Sequence, residues 1–435
     1  MTSLYLLDFL AISLFFVSYH RNCYRKGYRI DFWHTELFLT CVLPNMLMLP
    51  FAMSEWNGVV LGDDLAAVIA VLPHIFLITL LGYVSILTGG MLWSLRLGLG
   101  LRKAAMRVLE IGPQCSTMLM SSRAVLVFQA MLCLLLQASV LGVYFAHDGF
   151  GFNLRGYTIA NPTLRPVALI ASNYSTVIGA HCLARYVDKK EKILLLSTLL
   201  MTFGMMFFGA RGNILAIYIG VLLCYLIRLR SRVSLFRIFS LASIMIVVAL
   251  YLGSVRSGEY SLGAFFGVVV GLLLYGDTFS DLRDFSWVYA RWDHVFWGGK
   301  TYLAAITAFI PRFASEFRDT WGLGVATATT VGFDPAVHPG LRPGIFGEGF
   351  FNFGIVGVIV IGVGLGLVFR RVDIDVKKFL APPEPSMMKA FASTMLLGVA
   401  LNIALTAGFS SLYIIGGIYL FTWFCLQLKR LVIPI

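Results

Sequence analysis

"RPGIFGEGFFNFGIVGVIVIGVGLGLVFRR", Arg342 to Arg371, decides the fold class of this chain. From Gly349 to Phe369 it carries no charge, which is about the twenty residues an α-helix needs to cross the ~30 Å hydrocarbon layer of a bilayer. It then closes on two cations, Arg370 and Arg371. The same alternation of apolar run and short basic loop recurs throughout. Eleven spans are expected, at 2–19, 35–53, 65–90, 124–145, 167–186, 193–208, 213–227, 238–254, 345–369, 390–407 and 411–428. Composition agrees: 59% of the 435 residues are hydrophobic and 13% charged, and the mean hydropathy is +0.84. A soluble domain carries about twice that charged share. The chain reads as a single all-α polytopic membrane domain over 1–435.

The loops set an orientation. Of the 34 basic residues, 24 fall in alternate loops around Arg21–Arg29, Arg96–Arg123, Arg185–Lys192, Arg228–Arg237, Arg370–Lys389 and Lys429–Arg430. The positive-inside rule places these in the cytoplasm, so the N-terminus is expected outside and the C-terminus inside. Thr2 to Tyr19 lacks a basic leader and a small-residue cleavage site, and is read as a retained first span. The net charge of +12 follows from this topology and is no reason to expect nucleic acid. The cysteines fall in spans or cytoplasmic loops, so no disulfide framework is implied.

Two loops are long. Residues 91–123 are basic and amphipathic ("LRLGLGLRKAAMRVLE") and are expected along the anionic inner leaflet. Residues 253–344 form a long outer loop that alternates apolar and polar pieces. "LGAFFGVVVGLLLY", Leu262 to Tyr275, is too short for a full crossing and suits a re-entrant or interfacial helix. "TYLAAITAFIPRF", Thr301 to Phe313, is expected to be an interfacial helix stopped by Pro311. Together they predict a cap partly embedded in the membrane.

Chemistry is sought on that outer side. It holds ten basic residues, nine of them arginine: Arg155, Arg165, Arg211, Arg256, Arg283, Arg291, Arg312, Arg318 and Arg342, with Lys300. Arginine's planar fork binds phosphate bidentately and stays charged at any working pH, so a diphosphate at the membrane surface is a fitting ligand. Arg283, Arg291 and Arg318 have acids close in sequence and are expected to pair with them. Arg155 and Arg211 have no such neighbours. Arg211 lies in a turn between Gly209 and Gly212, beside the N-terminus of the next span, where free N–H groups and the helix dipole favour an anion; the plain alternative is an arginine reaching lipid headgroups. Tyr157, two residues after Arg155, is a candidate for sugar contact. Candidate bases are Asp277, His338 and Glu348, with Glu348 equally suited to be the counter-ion of Arg342. No HExxH, CxxC pair or nucleotide fingerprint occurs, so no metal or cofactor is expected.

Four stretches taken in order resemble the Wzy-type bacterial polysaccharide polymerases, the family of the O-antigen and enterobacterial common antigen polymerases. They are "HDGFGFNLRGY", "GARGNILAIYIGVLLCYLIR", "YGDTFSD" with the downstream "FIPRF", and "RPGIFGEGFFNFGIVG". The resemblance implies a glycosyltransferase-C-like fold and an undecaprenyl-diphosphate-linked glycan as donor, used without a metal. The growing glycan would pass to the non-reducing end of a new lipid-linked repeat unit. Arg155 and Arg211 would hold the diphosphate, with Arg312 and Arg342 completing a positive lining. Asp277, His338 and Glu348 would compete to activate the acceptor hydroxyl. A repeat-unit flippase and a chain-length regulator are the implied partners. The alternatives are an O-antigen ligase and a lipid-linked glycan flippase or transporter.

Overall fold

The structure, a computed structural model, describes residues 61–94, 113–148, 163–208, 211–229, 280–310, 314–335, 340–395 and 409–432, with isolated positions elsewhere. All regular structure among them is helical. We label the helices α1 (Leu65–Ser94), α2 (Arg123–Asp148), α3 (Leu164–Lys189), α4 (Lys192–Phe207), α5 (Arg211–Leu229), α6 (Asp281–Arg291), α7 (Lys300–Ile306), α8 (Glu316–Trp321), α9 (Leu323–Val331), α10 (Gly344–Phe379) and α11 (Phe409–Val432). Five stretches are long and apolar enough to cross a membrane: Gly62–Leu92, Arg123–His147, Leu164–Lys189, Gly212–Leu229 and Gly344–Phe379. The expected spans 2–19, 35–53 and 238–254 lie almost wholly outside the described residues, as does Leu262 to Tyr275.

The seam between α1 and α10 is made by backbones in direct contact. A Cβ on Gly366 would stand 2.0 Å from the Ile86 carbonyl oxygen, and one on Gly362 would stand 2.6 Å from the Gly82 oxygen. Four residues forward on one helix match four on the other, so the two run parallel. Only hydrogen fits at these positions, the small-residue packing that draws membrane helices together when lipid is as apolar as they are.

One crossing expected at 345–369 proves to be a folded-back pair. Gly354 has φ 63° and ψ −149°, a conformation that only glycine adopts readily. It splits α10 into a first arm, 344–353, and a second, 355–379. The arms fold against each other: a Cβ on Gly357 would lie 2.1 Å from the Gly349 oxygen. In a straight helix those residues would be about 12 Å apart. Phe346 on the first arm and Gly362 on the second both touch Gly82. The first arm is therefore folded back on the second, which at 1.5 Å per residue is about 37 Å long, enough to cross a membrane.

The remaining long helices surround α3. Its buried polar groups are bonded to neighbours: Gln137 donates to Ser175 Oγ at 2.9 Å and to the Met201 carbonyl at 3.1 Å. Tyr174 donates to Gln129 Oε1 at 3.1 Å, and Gln129 to Thr422 at 2.7 Å. Asp188, at the end of α3, accepts from the Met387 and Met388 amides just past α10. The C-termini of α3 and α10 thus share one end of the bundle. Thr198 of α4 bonds the Gly179 carbonyl and Gln137 links Ser175 to Met201, so α4 returns antiparallel. Asn213 of α5 bonds Ser172 at 2.7 Å. The start of α5 therefore lies at the opposite end, which is where α10 begins.

That second end carries a platform of short helices. Asp64 in the turn before α1 accepts from Trp287 Nε1 at 2.7 Å and from the Arg291 guanidinium, while Leu282 packs on Leu72 and Phe76. So α6 lies over the first three turns of α1. The stretch expected to be one helix to Pro311 is α7 plus a 3₁₀ turn, Thr307–Phe309, with Ile310 extended (φ −78°, ψ 127°). A residue before proline is pushed out of the helical region. At the other end Asp31, Phe32 and Trp33 are buried; Trp33 fills the space beside Gly90, and Lys377 bridges Asp31 and Asp373 at 2.9 and 2.8 Å.

Gly366→Leu is expected to lower stability by about 1–3 kcal/mol, the usual cost of overpacking. A Cβ on Gly364 of the same arm would meet nothing within 4 Å, and Gly364→Leu is expected to leave the unfolding temperature unchanged. Thermal unfolding of both variants in detergent checks this.

Candidate active site

The platform end contains two polar groups built differently. The first is a knot of charge at the start of α6. Arg283 donates Nε and one terminal nitrogen to Asp284 Oδ1 at 2.9 and 2.8 Å, and Ser280 donates to Asp284 Oδ2 at 2.8 Å. The Arg342 amide adds a 3.3 Å bond to Asp284, and Arg342 Nε reaches Asp281 at 2.7 Å. Arg283 and Asp284 are both buried. Burial pushes the Asp284 carboxyl above its ordinary value, against the Arg283 charge and the Ser280 hydroxyl. Burial raises Asp281 too, opposed by Arg342. In this knot Arg283 answers a buried acid and Arg342 a half-buried one.

The second group centres on Glu348, in the middle of the first arm of α10 and 1% exposed. Thr301, at the start of α7, donates to Glu348 Oε1 at 2.7 Å. Asn352, one turn on, donates to Thr301 Oγ1 at 2.7 Å and to the Glu348 carbonyl at 2.8 Å. Its own side-chain oxygen accepts from the Gly299 amide at 2.9 Å. The Trp297 and Gly298 amides bond the Phe351 and Asn352 carbonyls, so the loop before α7 is laced to the end of the arm just ahead of Gly354. Glu348 Oε2 is buried without a hydrogen-bond partner, and no ion pair involves Glu348 among the described residues. A buried polar atom left unpaired costs stability. A carboxylate with one oxygen anchored and the other bare is arranged to take up a proton. Tyr302, beside Thr301, feels it: burial, and then the Glu348 charge, push the phenol upward. Its ring lies parallel to Phe353 at 6.1 Å.

The other expected site residues divide as follows. Arg342 pairs with Asp281, not with Glu348. His338 Nδ1 accepts from the Gly340 amide at 3.1 Å and its ring lies 4.5 Å from Phe333; this local turn orients it. Arg211 is the first residue of the 19-residue α5, at the platform end of the bundle. Tyr157 packs on Tyr144, ring centroids 5.4 Å apart, in a small hydrophobic cluster. Arg155, Asp277 and Arg312 lie outside the described residues. Of the arginines expected to pair locally, Arg283 meets Asp284 next to it, whereas Arg291 crosses to Asp64. Arg318 donates to the Ile310 carbonyl. No three His, Cys, Asp or Glu side chains are grouped for a metal among the described residues.

Sequence reading passed over Thr301, Asn352 and Asp64. "GDD" at Gly62–Asp64 signals only an acidic helix start, and nothing local marks Thr301 or Asn352 as partners of Glu348. Comparison of the chain with protein-family models, curated proteins and solved structures finds no match.

Asp284→Ala strands the Arg283 charge in the interior and is expected to cost about 3–5 kcal/mol. The double change Arg283→Met with Asp284→Leu is expected to recover most of it, read as the folded fraction by size exclusion in detergent.

Proposed function

We propose that the chain is a membrane glycosyltransferase that polymerises lipid-diphosphate-linked glycan repeat units, with its site at the platform end. The observation that carries the reading is Glu348: a buried carboxylate with one oxygen bonded by Thr301 and the other bare. In the proposed reaction the bare oxygen takes the proton from a hydroxyl at the non-reducing end of the acceptor unit. That hydroxyl oxygen bonds to the anomeric carbon of the donor glycan as the bond from that carbon to the diphosphate breaks. The electron pair leaves with the lipid diphosphate. Arg211, at the head of α5 on the same end, is assigned to the departing diphosphate, with the helix dipole and free amides adding to its charge. Such fixed electrostatic groups act most strongly where charge develops in the transition state.

The four sequence stretches that resemble Wzy-type polymerases support the same reading, and with it a glycosyltransferase-C-like arrangement of eleven spans in a bacterial inner membrane, the platform facing the periplasm. Exposed apolar side chains on the platform, among them Val295, Phe296, Leu303, Phe309 and Phe353, suit a cap partly immersed in lipid. In the state described, Oε2 is sealed, so the proposal includes parting of the Tyr302–Phe353 stack to admit the acceptor.

A transporter is the second reading, favoured by the broken helix at Gly354 and the buried Arg283–Asp284 pair. That pair already neutralises itself, and no second helix among the described residues carries a matching break.

In vitro elongation with purified lipid-linked repeat units tests the choice. Glu348→Gln keeps the Thr301 bond and is expected to lower turnover about 100-fold or more, in the range of a lost general base. Arg211→Ala is expected to lose polymer, with Arg211→Lys intermediate. A folded Glu348→Gln protein with unchanged chain growth would remove the carboxylate from the reaction; movement of lipid-linked units without elongation would favour the transporter.

A further inference from the structure

The far end of the bundle carries a feature that this reaction does not use. Between the starts of α2 and α4 lies an open groove of about 670 Å³. Its floor is apolar, with Val127, Phe128, Met131 and Ile193, and its mouth holds Ser121, Ser122 and Arg123. Phe128, Met131 and Ile193 are exposed on the outside of the helices, where a spanning helix meets lipid.

The charges at the mouth are not answered by acids among the described residues. Arg185 at this end is paired with Glu191 at 3.0 Å, and Arg371 with Asp375. Arg123, and Lys192 next to Ile193, are exposed, and their side chains have no ion-pair or hydrogen-bond partner among the described residues. The nearby acid, Glu191, is already occupied by Arg185. One unanswered cation, Arg123, thus lines the apolar slot, and a second, Lys192, precedes its Ile193 in sequence. Phe128 and Met131 follow Arg123 by five and eight residues along α2, so they lie about 7–12 Å further in at 1.5 Å per residue. That is the layout of one amphiphile: an anionic head at the helix end and a hydrocarbon chain beside the following turns. Guanidinium and hydroxyl donors suit a phosphodiester, and a juxtamembrane cation gains from anionic lipid. A soluble anion would not need the slot.

We propose that this groove is a binding site for an anionic phospholipid, its phosphate held by Arg123 with Lys192 and the Ser122 hydroxyl, and one acyl chain lying along Phe128 and Met131. The site lies at the end of the bundle opposite the platform and does not depend on the reaction proposed above.

Native mass spectrometry of the full chain in detergent, supplied with phosphatidylglycerol or phosphatidylcholine, tests it. The wild type is expected to retain one phosphatidylglycerol in preference to phosphatidylcholine. Arg123→Glu is expected to weaken that binding about tenfold, since each juxtamembrane cation contributes about a factor of five and reversal removes one and adds a repulsion. Met131→Trp, which fills the slot and leaves the charges, is expected to weaken it as well. Lys389→Glu, reversing an exposed cation at the same end but outside the groove, is expected to change nothing. The proposal is overturned if Lys389→Glu weakens binding as much as Arg123→Glu does. It also fails if Met131→Trp binds like the wild type, or if glycerophosphoglycerol, the headgroup without chains, competes as well as the lipid.

Discussion

The reversal at Gly354 is the constraint on which the platform depends. Its backbone, φ 63° and ψ −149°, lies where a side chain would be strained. The turn is held from both sides: Gly349 and Gly357 touch across the hairpin, and the Trp297 and Gly298 amides tie the last turn of the first arm. Without the reversal, residues 344–353 would extend the crossing by about 15 Å. Glu348 would then stand far from Thr301, and Phe346 far from Gly82. One glycine conformation therefore decides that a carboxylate lies inside the bundle instead of at a helix tip.

Buried charge is treated in two ways. At the platform Arg283 and Asp284 answer each other, and at the far end Lys377 answers Asp31 and Asp373. Such pairs add little net stability, yet breaking one is costly because the survivor has no water to turn to. Across elements, Arg342 fixes where α6 meets the chain before α10, through Asp281 and Asp284, and Lys377 fixes where Asp31 meets the end of α10. Glu348 is buried without a cation among the described residues. Asp373 also has one oxygen bare, but it faces Lys377; Glu348, with its neighbours Thr301 and Asn352 themselves fully bonded, is set apart from these pairs by that lack of a cation.

Much of this architecture is legible in the sequence because hydrophobic length is a strong and local signal. The expected spans at 65–90, 124–145, 167–186, 193–208, 213–227 and 411–428 fall on α1 to α5 and α11 within a few residues. The fold-back of α10 is hidden, since an apolar run looks alike whether it crosses once or turns back. Only Gly354 carries the difference, among many glycines. The pairing of Arg291 is hidden for another reason: its partner, Asp64, is 227 residues away, and charge complementarity has no reach along a sequence. Glu348 stood out because an acid before an apolar run is expensive. Its relation to Thr301 needed the bundle to be assembled.

The bond between Asp64 and Trp287 spans 223 residues, and this has a consequence for biosynthesis. At ~5–20 residues per second, roughly 10 to 45 seconds separate the making of one partner from the other. Over that interval α1, long and apolar enough to cross a membrane, has a bare carboxylate at its head. Its glycine face waits longer still, until Gly362 and Gly366 are made and can meet Gly82 and Ile86. The early helices are thus an unfinished surface for most of translation, and the late part of the chain, 280 onward, acts as the closing piece that completes α1 from the platform end down.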